Sequence, residues 1–511
     1  MRESATQQIT SGIMARYPLI YILGWEEERI EKTLAQVSAK HYFDKRPVII
    51  WTAGKGFYTR EGQVSDISDP VEAIEYIAKS AQNAFYLLKD LPAYFEDNLK
   101  LERVLRDLYQ QYKNRDAFIF FSYPNLQLPD SLKKEVLLVE FEQPTDDEIY
   151  AYIKEALVRY KLVDKISDEW IKQTSIAMKG LGLEEIGHLL LSLLRVKKLQ
   201  PDEIVNAIQR EKGQILKKES CLRFIPTITT LDEVGGLDNL KDWVNTRKQL
   251  FSRESIDAGI APPSGILFMG VSGCGKSMAS KVIASAWNVP LVRLDMNLVM
   301  SGVYGTPEYA FEQAISLAER IAPIVLWIDE VENSFGYDEG SSQGGNINIF
   351  SSFLTWMQEK SPDVFVAATA NRIKKLPAEM LRKGRFDQVF FLNLPNHEER
   401  IEILSIHIKA NDGDPDAFKL DVLSDITNKW SGAEIESLIR SAHIDAYKEQ
   451  RDFTSKDIMQ NAGLMVPLSK TMEEQIRELT GWSFNRATPA SKTKERSVFE
   501  PEVEDPNKMI Y

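Results

Sequence analysis

Gly270-Val-Ser-Gly-Cys-Gly-Lys276-Ser277 is the stretch that decides the fold, because it matches the pattern GxxxxGK[ST] in full. It follows the apolar run Gly265–Met269 and precedes a helix-like stretch, Met278–Ala286, which is the context that a phosphate-binding loop requires. The glycines let successive backbone N–H groups turn toward phosphate oxygens, and the helix N-terminus adds favourable dipole charge. In such a loop Lys276 reaches the β- and γ-phosphates and Ser277 binds magnesium. The stretch therefore predicts a nucleotide-binding α/β fold.

Two carboxylates lie further along the chain, directly after the apolar run Ile324–Ile328. A buried strand that ends in Asp329 and Glu330 places two charges where they need a cation or water. Asp329 fits a ligand of the magnesium ion, and Glu330 fits a general base that polarises the attacking water. The pair alone is a weak signal, because an Asp-Glu pair at a strand end is commonly just solvated. Together with the loop around Lys276, it predicts a site of ATP hydrolysis.

Three more polar residues follow the next apolar run. Asn371 comes just after this run, and its side chain can hold a water near the γ-phosphate. Arg382 and Arg385 are separated by Lys-Gly. Two arginines at this spacing are well suited to reach an anion, although seen alone they would more often be a basic surface turn.

The overall composition restricts the partners. The 511 residues carry a net charge of -13 and are 43% hydrophobic, which is typical of a globular protein with two or three domains. The negative charge argues against nucleic acid as a partner, because binding to phosphate backbones relies on Lys and Arg. No apolar run is long enough to span a bilayer, and we expect no secretory signal at the N-terminus. The two cysteines, Cys221 and Cys274, cannot form a disulfide framework, which indicates a reducing compartment.

Two alternations of short apolar runs and amphipathic helical stretches divide the chain. Runs such as Phe118–Phe121 and Ile324–Ile328 are typical of strands buried on both faces of a parallel sheet. Each alternation is followed by an all-helical stretch, so the predicted fold class is α/β with layered helices. The predicted segments are an α/β domain at 1–144, a helical subdomain at 145–215, a linker at 216–230, a second α/β subdomain at 231–394, a second helical subdomain at 395–463, and a C-terminal tail at 464–511. We expect the last thirty or so residues to be mobile or to lie on the surface.

From about Leu231 to Gly463 the sequence resembles an AAA+ ATPase module of the AAA clade. The resemblance implies a P-loop fold with a large subdomain at 231–394 and a helical lid at 395–463. It assigns Walker A roles to Lys276 and Ser277, Walker B roles to Asp329 and Glu330, the sensor 1 role to Asn371, and the role of arginine fingers offered to a neighbouring subunit's ATP to Arg382 and Arg385.

The resemblance also implies nucleotide contacts from the segment over the adenine, the phosphate loop and the lid. These residues are Val234, Gly235, Gly236, Gly270, Ser272, Gly273, Cys274, Gly275, Lys276, Ser277, Met278, His407, Gly432 and Ala433. Ala433 stands where other AAA+ clades place a sensor 2 arginine, so no lid arginine is expected there.

The whole chain is similar to a narrower group, the AAA ATPases of hypothetical chloroplast reading frames and their cyanobacterial and other bacterial relatives. The stretches Ala261–Gly270 and Val466–Met472 are part of that similarity. It implies ATP and Mg²⁺ as cofactors, a homo-oligomeric ring that we expect to be a hexamer, and a location in the bacterial cytoplasm or the chloroplast stroma. The output is either the remodelling of an unidentified protein partner or, alternatively, an ATP-dependent assembly switch or regulatory scaffold without threading.

Two positions depart from the family pattern or invite a second interpretation. Many remodelling AAA+ proteins grip polypeptide with an aromatic–aliphatic–Gly loop, but here Val303 stands at the aromatic position and Tyr304 at the aliphatic one. The exchange is either harmless or means that no polypeptide is threaded.

Cys274 lies inside the phosphate loop, where a helix N-terminus can lower a thiol pKa. Redox control is one interpretation, and a small residue at a variable position is the simpler one.

The first half of the chain resembles a degenerate duplicate of the second. The run that ends at Gly24 parallels the one that ends at Gly270, and Phe85–Asp90 parallels Val325–Glu330. The copy lacks the GKS sequence and the finger arginines, and Trp25-Glu-Glu-Glu28 supplies carboxylates that would repel phosphate. We therefore expect a degenerate AAA-like domain that binds no nucleotide. The alternative is two unrelated α/β domains, because α/β alternation makes weak self-similarity common.

Overall fold

The computed structural model describes most of the chain. The described residues are 4–40, 46–80, 82–162, 166–196, 201–218, 221–226, 230–251, 258–260, 262–334, 345–372, 376, 378–382, 384–484 and 486–492. They fall into two compact units, one made of Met1–Thr145 with Gly182–Glu184, and one made of Asp146–Leu181 with Glu185–Tyr511.

The first unit is a sheet with helices on its faces. Its helices are α1 (Ala5–Met14), α2 (Glu27–Ser38), α3 (Pro70–Lys79) and α4 (Leu99–Tyr112). Its strands are β1 (Leu19–Leu23), β2 (Val48–Thr52), β3 (Gly56–Thr59), β4 (Gly62–Ser65), β5 (Phe85–Lys89), β6 (Phe118–Tyr123) and β7 (Val136–Glu140). The described residues form one sheet in the order β4-β3-β2-β5-β6-β1-β7. Five neighbouring strands, β2, β5, β6, β1 and β7, are parallel. Strand β3 is antiparallel to both β2 and β4.

The second unit contains a second sheet. Its strands are β8 (Leu222–Ile225), β9 (Gly265–Gly270), β10 (Leu291–Leu294), β11 (Ile324–Ile328), β12 (Val364–Ala370), β13 (Gln388–Leu392) and β14 (Thr488–Pro489). Their order is β14-β13-β9-β12-β11-β10-β8, and only β8 is antiparallel to its neighbour. Every residue of β9, β11 and β12 is buried, as expected for central parallel strands with helices on both faces.

The parallel strands of the two sheets follow the same order. The five parallel strands of the first sheet lie side by side in the order β2, β5, β6, β1, β7. In the second sheet the order β10, β11, β12, β9, β13 is the same, because in both sheets the strand that comes first in the chain lies between the fourth and the fifth. Two unrelated α/β domains would not be expected to share this order. The predicted α/β fold class with layered helices is confirmed, and the shared strand order supports the predicted relation between the two halves.

The second unit also carries the remaining helices of the described chain. They are α5 (Asp146–Arg159), α6 (Asp168–Met178), α7 (Leu183–Val196), α8 (Pro201–Lys218), α9 (Asp238–Arg247), α10 (Lys276–Ala286), α11 (Met296–Met300), α12 (Pro307–Arg320), α13 (Val331–Ser334), α14 (Gly345–Glu359), α15 (His397–Ala410), α16 (Leu420–Ile426), α17 (Gly432–Lys448), α18 (Ser455–Ala462), α19 (Leu468–Thr471) and α20 (Glu473–Ser483). Helices α15 to α18 form the lid around their own apolar core. Capping boxes at Asn396 and Ser431 fix the starts of α15 and α17, because each satisfies two backbone N–H groups.

The helical segment after the first sheet packs with the second sheet. Its α5, α6 and α8 belong to the second unit, together with most of α7. Lys179 Nζ lies 2.6 Å from Asp363 Oδ2, just before β12, and Leu216 on α8 joins the core of the second sheet. The predicted linker at 216–230 contains β8, which pairs with β10. This segment is therefore part of the second unit and not only a connection.

The predicted tail also contributes structure. Helices α19 and α20 and strand β14 lie within 464–511, and β14 pairs with β13. Ile476 and Ala490 are buried in the core beside α10. The first part of the predicted tail is therefore folded. Most of the stretch that we expect to be mobile or surface-bound, residues 493–511, lies outside the described residues. Among the helices described, none is both long and apolar enough to cross a membrane.

Candidate active site

The phosphate loop joins β9 to α10, as the sequence predicts. Gly275 immediately precedes α10 with φ +91°, a conformation that side chains other than glycine rarely adopt. A Cβ built on Gly275 would meet no heavy atom within 4 Å. The N-terminus of the eleven-residue helix α10 therefore opens onto free space, which is a suitable place for a phosphate group.

Lys276 is held inside the loop. Its Nζ donates hydrogen bonds to the carbonyl oxygens of Gly270 (2.9 Å) and Val271 (2.8 Å). The side chain is buried, and burial lowers the pKa of its ammonium group. A cation that is buried against neutral carbonyls gains from an anionic partner, so the loop is prepared to exchange these bonds for phosphate oxygens.

The other predicted residues of the loop differ in exposure. Ser272 and Met278 are exposed, whereas Ser277 is half-buried at the start of α10. Cys274 is buried, and burial raises the pKa of its thiol to about 12. Because the thiolate is the reactive form, this argues against the redox interpretation and favours Cys274 as a small residue that fills the loop.

The carboxylates after β11 are joined to β12 by a hydrogen-bond network. Thr369 Oγ1 donates to Asp329 Oδ1 (2.7 Å) and accepts from the backbone N–H of Glu330 (3.0 Å). Asn371 Nδ2 donates to Glu330 Oε1 (2.9 Å). The predicted general base and the predicted sensor 1 residue are therefore in direct contact. Thr369 was not among the predicted residues.

Glu332 is a second residue that the sequence did not reveal. It is buried on α13, and its Oε1 accepts from the backbone N–H groups of Asn371 (2.7 Å) and Arg372 (3.1 Å). Burial raises the pKa of this carboxyl group. Glu332 thereby fixes the turn after β12 that presents the Asn371 side chain. Glu332 follows Glu330 by two residues, and this proximity in the chain is the signal by which the sequence could have indicated that Glu332 lies near the site.

The residues present fit ATP and magnesium. Asn371 Oδ1 is buried without a hydrogen-bond partner among the described residues, so it is available to a water or a ligand. The Asp329 carboxylate and the Ser277 hydroxyl are oxygen ligands of the kind that magnesium prefers. Ser277 and Asp329 would hold the ion, and Lys276 with the loop N–H groups would hold the phosphates.

The segment predicted to lie over the adenine packs against the lid. The backbone N–H of Gly236 donates to Glu402 Oε2 on α15 (2.7 Å). A Cβ on Gly235 would lie 2.8 Å from Ile403 Cγ1, so the backbone passes too close to α15 for a side chain. Val234 packs on the core beside α10. Burial lowers the pKa of His407 on α15, so at neutral pH its imidazole is uncharged and suits a neutral base or ribose.

The lid also contacts the phosphate loop directly. The backbone N–H of Ala433, at the start of α17, donates to the carbonyl oxygen of Gly273 (3.1 Å). Gly432 lies beside the same carbonyl oxygen. The structure therefore brings the predicted adenine segment, phosphate loop and lid residues together around one region.

The two predicted finger arginines lie before β13. Arg382 is exposed, and Arg385 is half-buried with its Nη1 donating to the carbonyl oxygen of Glu379. Their assignment as fingers remains a prediction about a neighbouring subunit.

The predicted central loop lies between α11 and α12. Val303 is 72% exposed and Tyr304 is 41% exposed. Thr306 caps α12, and the hydroxyl of Ser301 accepts from the backbone N–H of Val303 (3.3 Å). The loop is thus held at both ends while two large side chains face solvent.

The corresponding strand end of the first unit has a lysine in place of the first of the two carboxylates. Asp90 has φ +58° and Glu330 has φ +49°, so the two strand ends share an uncommon conformation for a side-chain-bearing residue. Lys89 stands where Asp329 stands in the second unit, and its Nζ lies 2.6 Å from carboxylate oxygens of Glu27 and Glu31 on α2. Burial opposes the charge on Lys89, but these hydrogen bonds outweigh burial and raise its pKa overall.

Comparisons with known proteins find one matching family in each half of the chain. Residues 5–141 match the family described as SpoVK-like AAA ATPase, N-terminal domain, and residues 266–394 match the ATPase family associated with various cellular activities (AAA). The chain is 35% identical to the AAA domain-containing protein ycf46 of Guillardia theta, over 92% of this chain and 93% of that protein. It is 33% identical to ycf46 of Gracilaria tenuistipitata var. liui, over 91% and 95%. It is 26% identical to the proteasome-activating nucleotidase of Thermococcus onnurineus, over 49% and 65%.

Proposed function

We propose a function from one premise: this chain belongs to the AAA ATPase family that includes the ycf46 proteins. The chain hydrolyses Mg²⁺-bound ATP at a single site and acts as part of a ring. Members of this family bind nucleotide and have ATPase activity. The magnesium ion, the ring, the residue roles and the use of the energy are our proposals. The observation that carries the proposed site of hydrolysis is the contact between Glu330 and Asn371 at the strand end beside Asp329.

The residues of the site divide the work of in-line hydrolysis. Lys276 and the backbone N–H groups of the phosphate loop would hold the β- and γ-phosphates. Ser277 and Asp329 would hold magnesium, which would supply neutralising charge to the phosphate oxygens. Glu330 accepts the proton of the attacking water, and Asn371 orients the Glu330 carboxylate and the water. Thr369 fixes both acidic residues through its single hydroxyl group. Because Thr369 and Asn371 lie on β12 and just after it, the water is positioned by a rigid strand.

Replacement of Glu330 tests the assignment of the general base. Glu330→Gln is expected to bind ATP as the wild type does but to lose at least about 100-fold in turnover, because an amide cannot accept the proton. Turnover is measured by phosphate release and binding by calorimetry. Glu312→Gln serves as a control, because Glu312 is an exposed glutamate on α12 outside this network. A Glu330→Gln variant with wild-type turnover would contradict the assignment.

The proposed output is the remodelling of a protein partner by a hexameric ring in the bacterial cytoplasm or the chloroplast stroma. The exposed side chains of Val303 and Tyr304, on a loop held at both ends, support contact with a polypeptide. An ATP-dependent assembly switch or regulatory scaffold is the alternative. Turnover above about 1 s⁻¹ that a partner stimulates favours remodelling, and far slower turnover favours the switch. The Glu330→Gln variant, which retains ATP, is suitable for capturing the partner.

Replacement of Tyr304 separates these two outputs. Tyr304→Ala is expected to keep basal ATPase within about twofold, since the residue is on the surface and contacts no described residue of the site. It should abolish partner-stimulated remodelling, measured as unfolding of the captured partner. Tyr309→Ala is a matched control, because Tyr309 is also exposed but lies on α12. Unchanged remodelling by Tyr304→Ala would remove the threading proposal and leave the switch.

A further inference from the structure

Arg293 on β10 lies beside the strand that ends in Asp329. Its Nη2 is 3.6 Å from Asp329 Oδ2, and its guanidinium carbon is 5.1 Å from the centre of the Trp327 ring. This N–O distance is longer than a normal hydrogen bond, so the contact is an ion pair between partly exposed groups. The pair engages the same carboxylate that we assign to magnesium.

A second arginine increases the positive charge at this edge of the sheet. Arg223 on β8 is the direct cross-strand partner of Arg293, so the two side chains leave the same face of the sheet. Arg223 pairs with Asp295, with 3.1 Å between Nη2 and Oδ2. Like charges on directly opposed residues are unfavourable. The negative charge of Asp329 therefore offsets the positive charge of Arg293, and the negative charge of Asp295 offsets that of Arg223.

The ion pair leaves Arg293 only partly satisfied. Its Nε is buried without a hydrogen-bond partner among the described residues. The other oxygen of Asp329, Oδ1, accepts from Thr369 Oγ1, so the carboxylate is held from two sides. A metal ion that binds Oδ2 of Asp329 therefore competes with Arg293 for this oxygen.

We infer that Arg293 is a positioning residue that holds the Asp329 carboxylate in the absence of magnesium and thereby sets the magnesium concentration at which the site loads. This rests on the proposed function, because it takes Asp329 as the ligand of magnesium. Metal binding must weaken the ion pair and bring a dication close to the guanidinium. Competition for the carboxylate and repulsion between cations act in the same direction, so Arg293 weakens magnesium binding.

The test measures magnesium-dependent binding, not turnover. The full-length protein is titrated by calorimetry with a non-hydrolysable ATP analogue, in EDTA and at a series of Mg²⁺ concentrations. Arg293→Gln is expected to lower the half-saturating Mg²⁺ concentration about fivefold, the upper range for an exposed ion pair. Its affinity for the analogue in EDTA should stay within about twofold of the wild type, because the phosphate loop is unchanged.

Three further variants exclude a merely structural effect. Arg293→Lys keeps the charge and should keep the wild-type Mg²⁺ dependence. Arg223→Gln removes the opposed cation, whose partner is Asp295, and should also leave it unchanged. Arg293→Met keeps an apolar stem over Trp327 and replaces the Gln variant if that variant does not fold. An unchanged or higher half-saturating Mg²⁺ concentration in these Arg293 charge-removing variants would overturn the inference, whereas a wild type that binds no analogue at any Mg²⁺ concentration would overturn the proposed function as well.

Discussion

Lys276→Ala should show no detectable nucleotide binding at ATP concentrations that just saturate the single site of the wild type. Lys276 is buried, and its Nζ already bonds to the carbonyl oxygens of Gly270 and Val271. With ATP bound, loss of this cation leaves buried phosphate charge unpaired, which costs about 3–5 kcal/mol. The ATP affinity should therefore fall at least about 100-fold, as measured by calorimetry with ATP and Mg²⁺. Lys281→Ala is a matched control, since Lys281 lies on the same helix one turn further from the loop.

The same variant also tests whether the first unit binds nucleotide. Once the site of the second unit is lost, any remaining saturable binding comes from elsewhere in the chain. The first unit offers Lys89 with Glu27 and Glu31 where the second offers Asp329 and the loop cation. This arrangement already neutralises its own buried lysine, so a phosphate group would have to break two ion pairs. Saturable micromolar binding of ATP by Lys276→Ala would contradict the prediction that the first unit is free of nucleotide.

The parts of the site that were predictable from the sequence are local in the chain. The phosphate loop is one continuous stretch, so its motif, strand and helix could be read together, and Asp329 with Glu330 ends an apolar run that could only be a buried strand. The resemblance to AAA ATPases is confirmed, and it extends over both units. The residue roles that it implies are tested by the variants proposed above and below.

The contacts that the sequence did not reveal depend on pairing between strands. The register of β11 against β12 pairs Ile328 with Ala368, which brings Thr369 beside Asp329. Nothing in the local pattern around Thr369 indicates this. The same is true of Arg293, whose contact with Asp329 depends on β10 lying next to β11. A sequence indicates which residues end strands more readily than which strands are neighbours.

The strands that the sequence did not reveal are short and weakly apolar. Strand β8 has four residues, of which only Leu222 is buried, so it lacks the continuous apolar run of the central strands. Strand β14 has two residues and depends on pairing with β13. Such edge strands are stabilised by the sheet they join and not by their own composition. Their sequences therefore resemble linkers and tails.

Arg385→Ala and Arg382→Ala should bind ATP normally yet lose about 10³-fold or more in turnover. Within one chain Arg385 donates to the carbonyl oxygen of Glu379, and Arg382 is exposed. We therefore propose that each arginine stabilises the transition state at the ATP of another subunit. Arg440→Ala is a matched control, because Arg440 is an exposed lid arginine paired with Glu436. Wild-type turnover in both finger variants would contradict their assignment.

Mixed rings test whether the arginines act on a neighbour. Arg385→Ala subunits keep an intact site but lack the finger, whereas Lys276→Ala subunits keep the finger but lack the site, so each alone should be inactive. In an equal mixture, about one junction in four joins an intact site to an intact finger, because a head-to-tail ring gives every site one neighbour. ATPase activity should therefore reappear on mixing and reach its maximum near equal amounts. No recovery at any ratio, with mixed rings verified by native mass spectrometry, would show that the arginines do not act in trans.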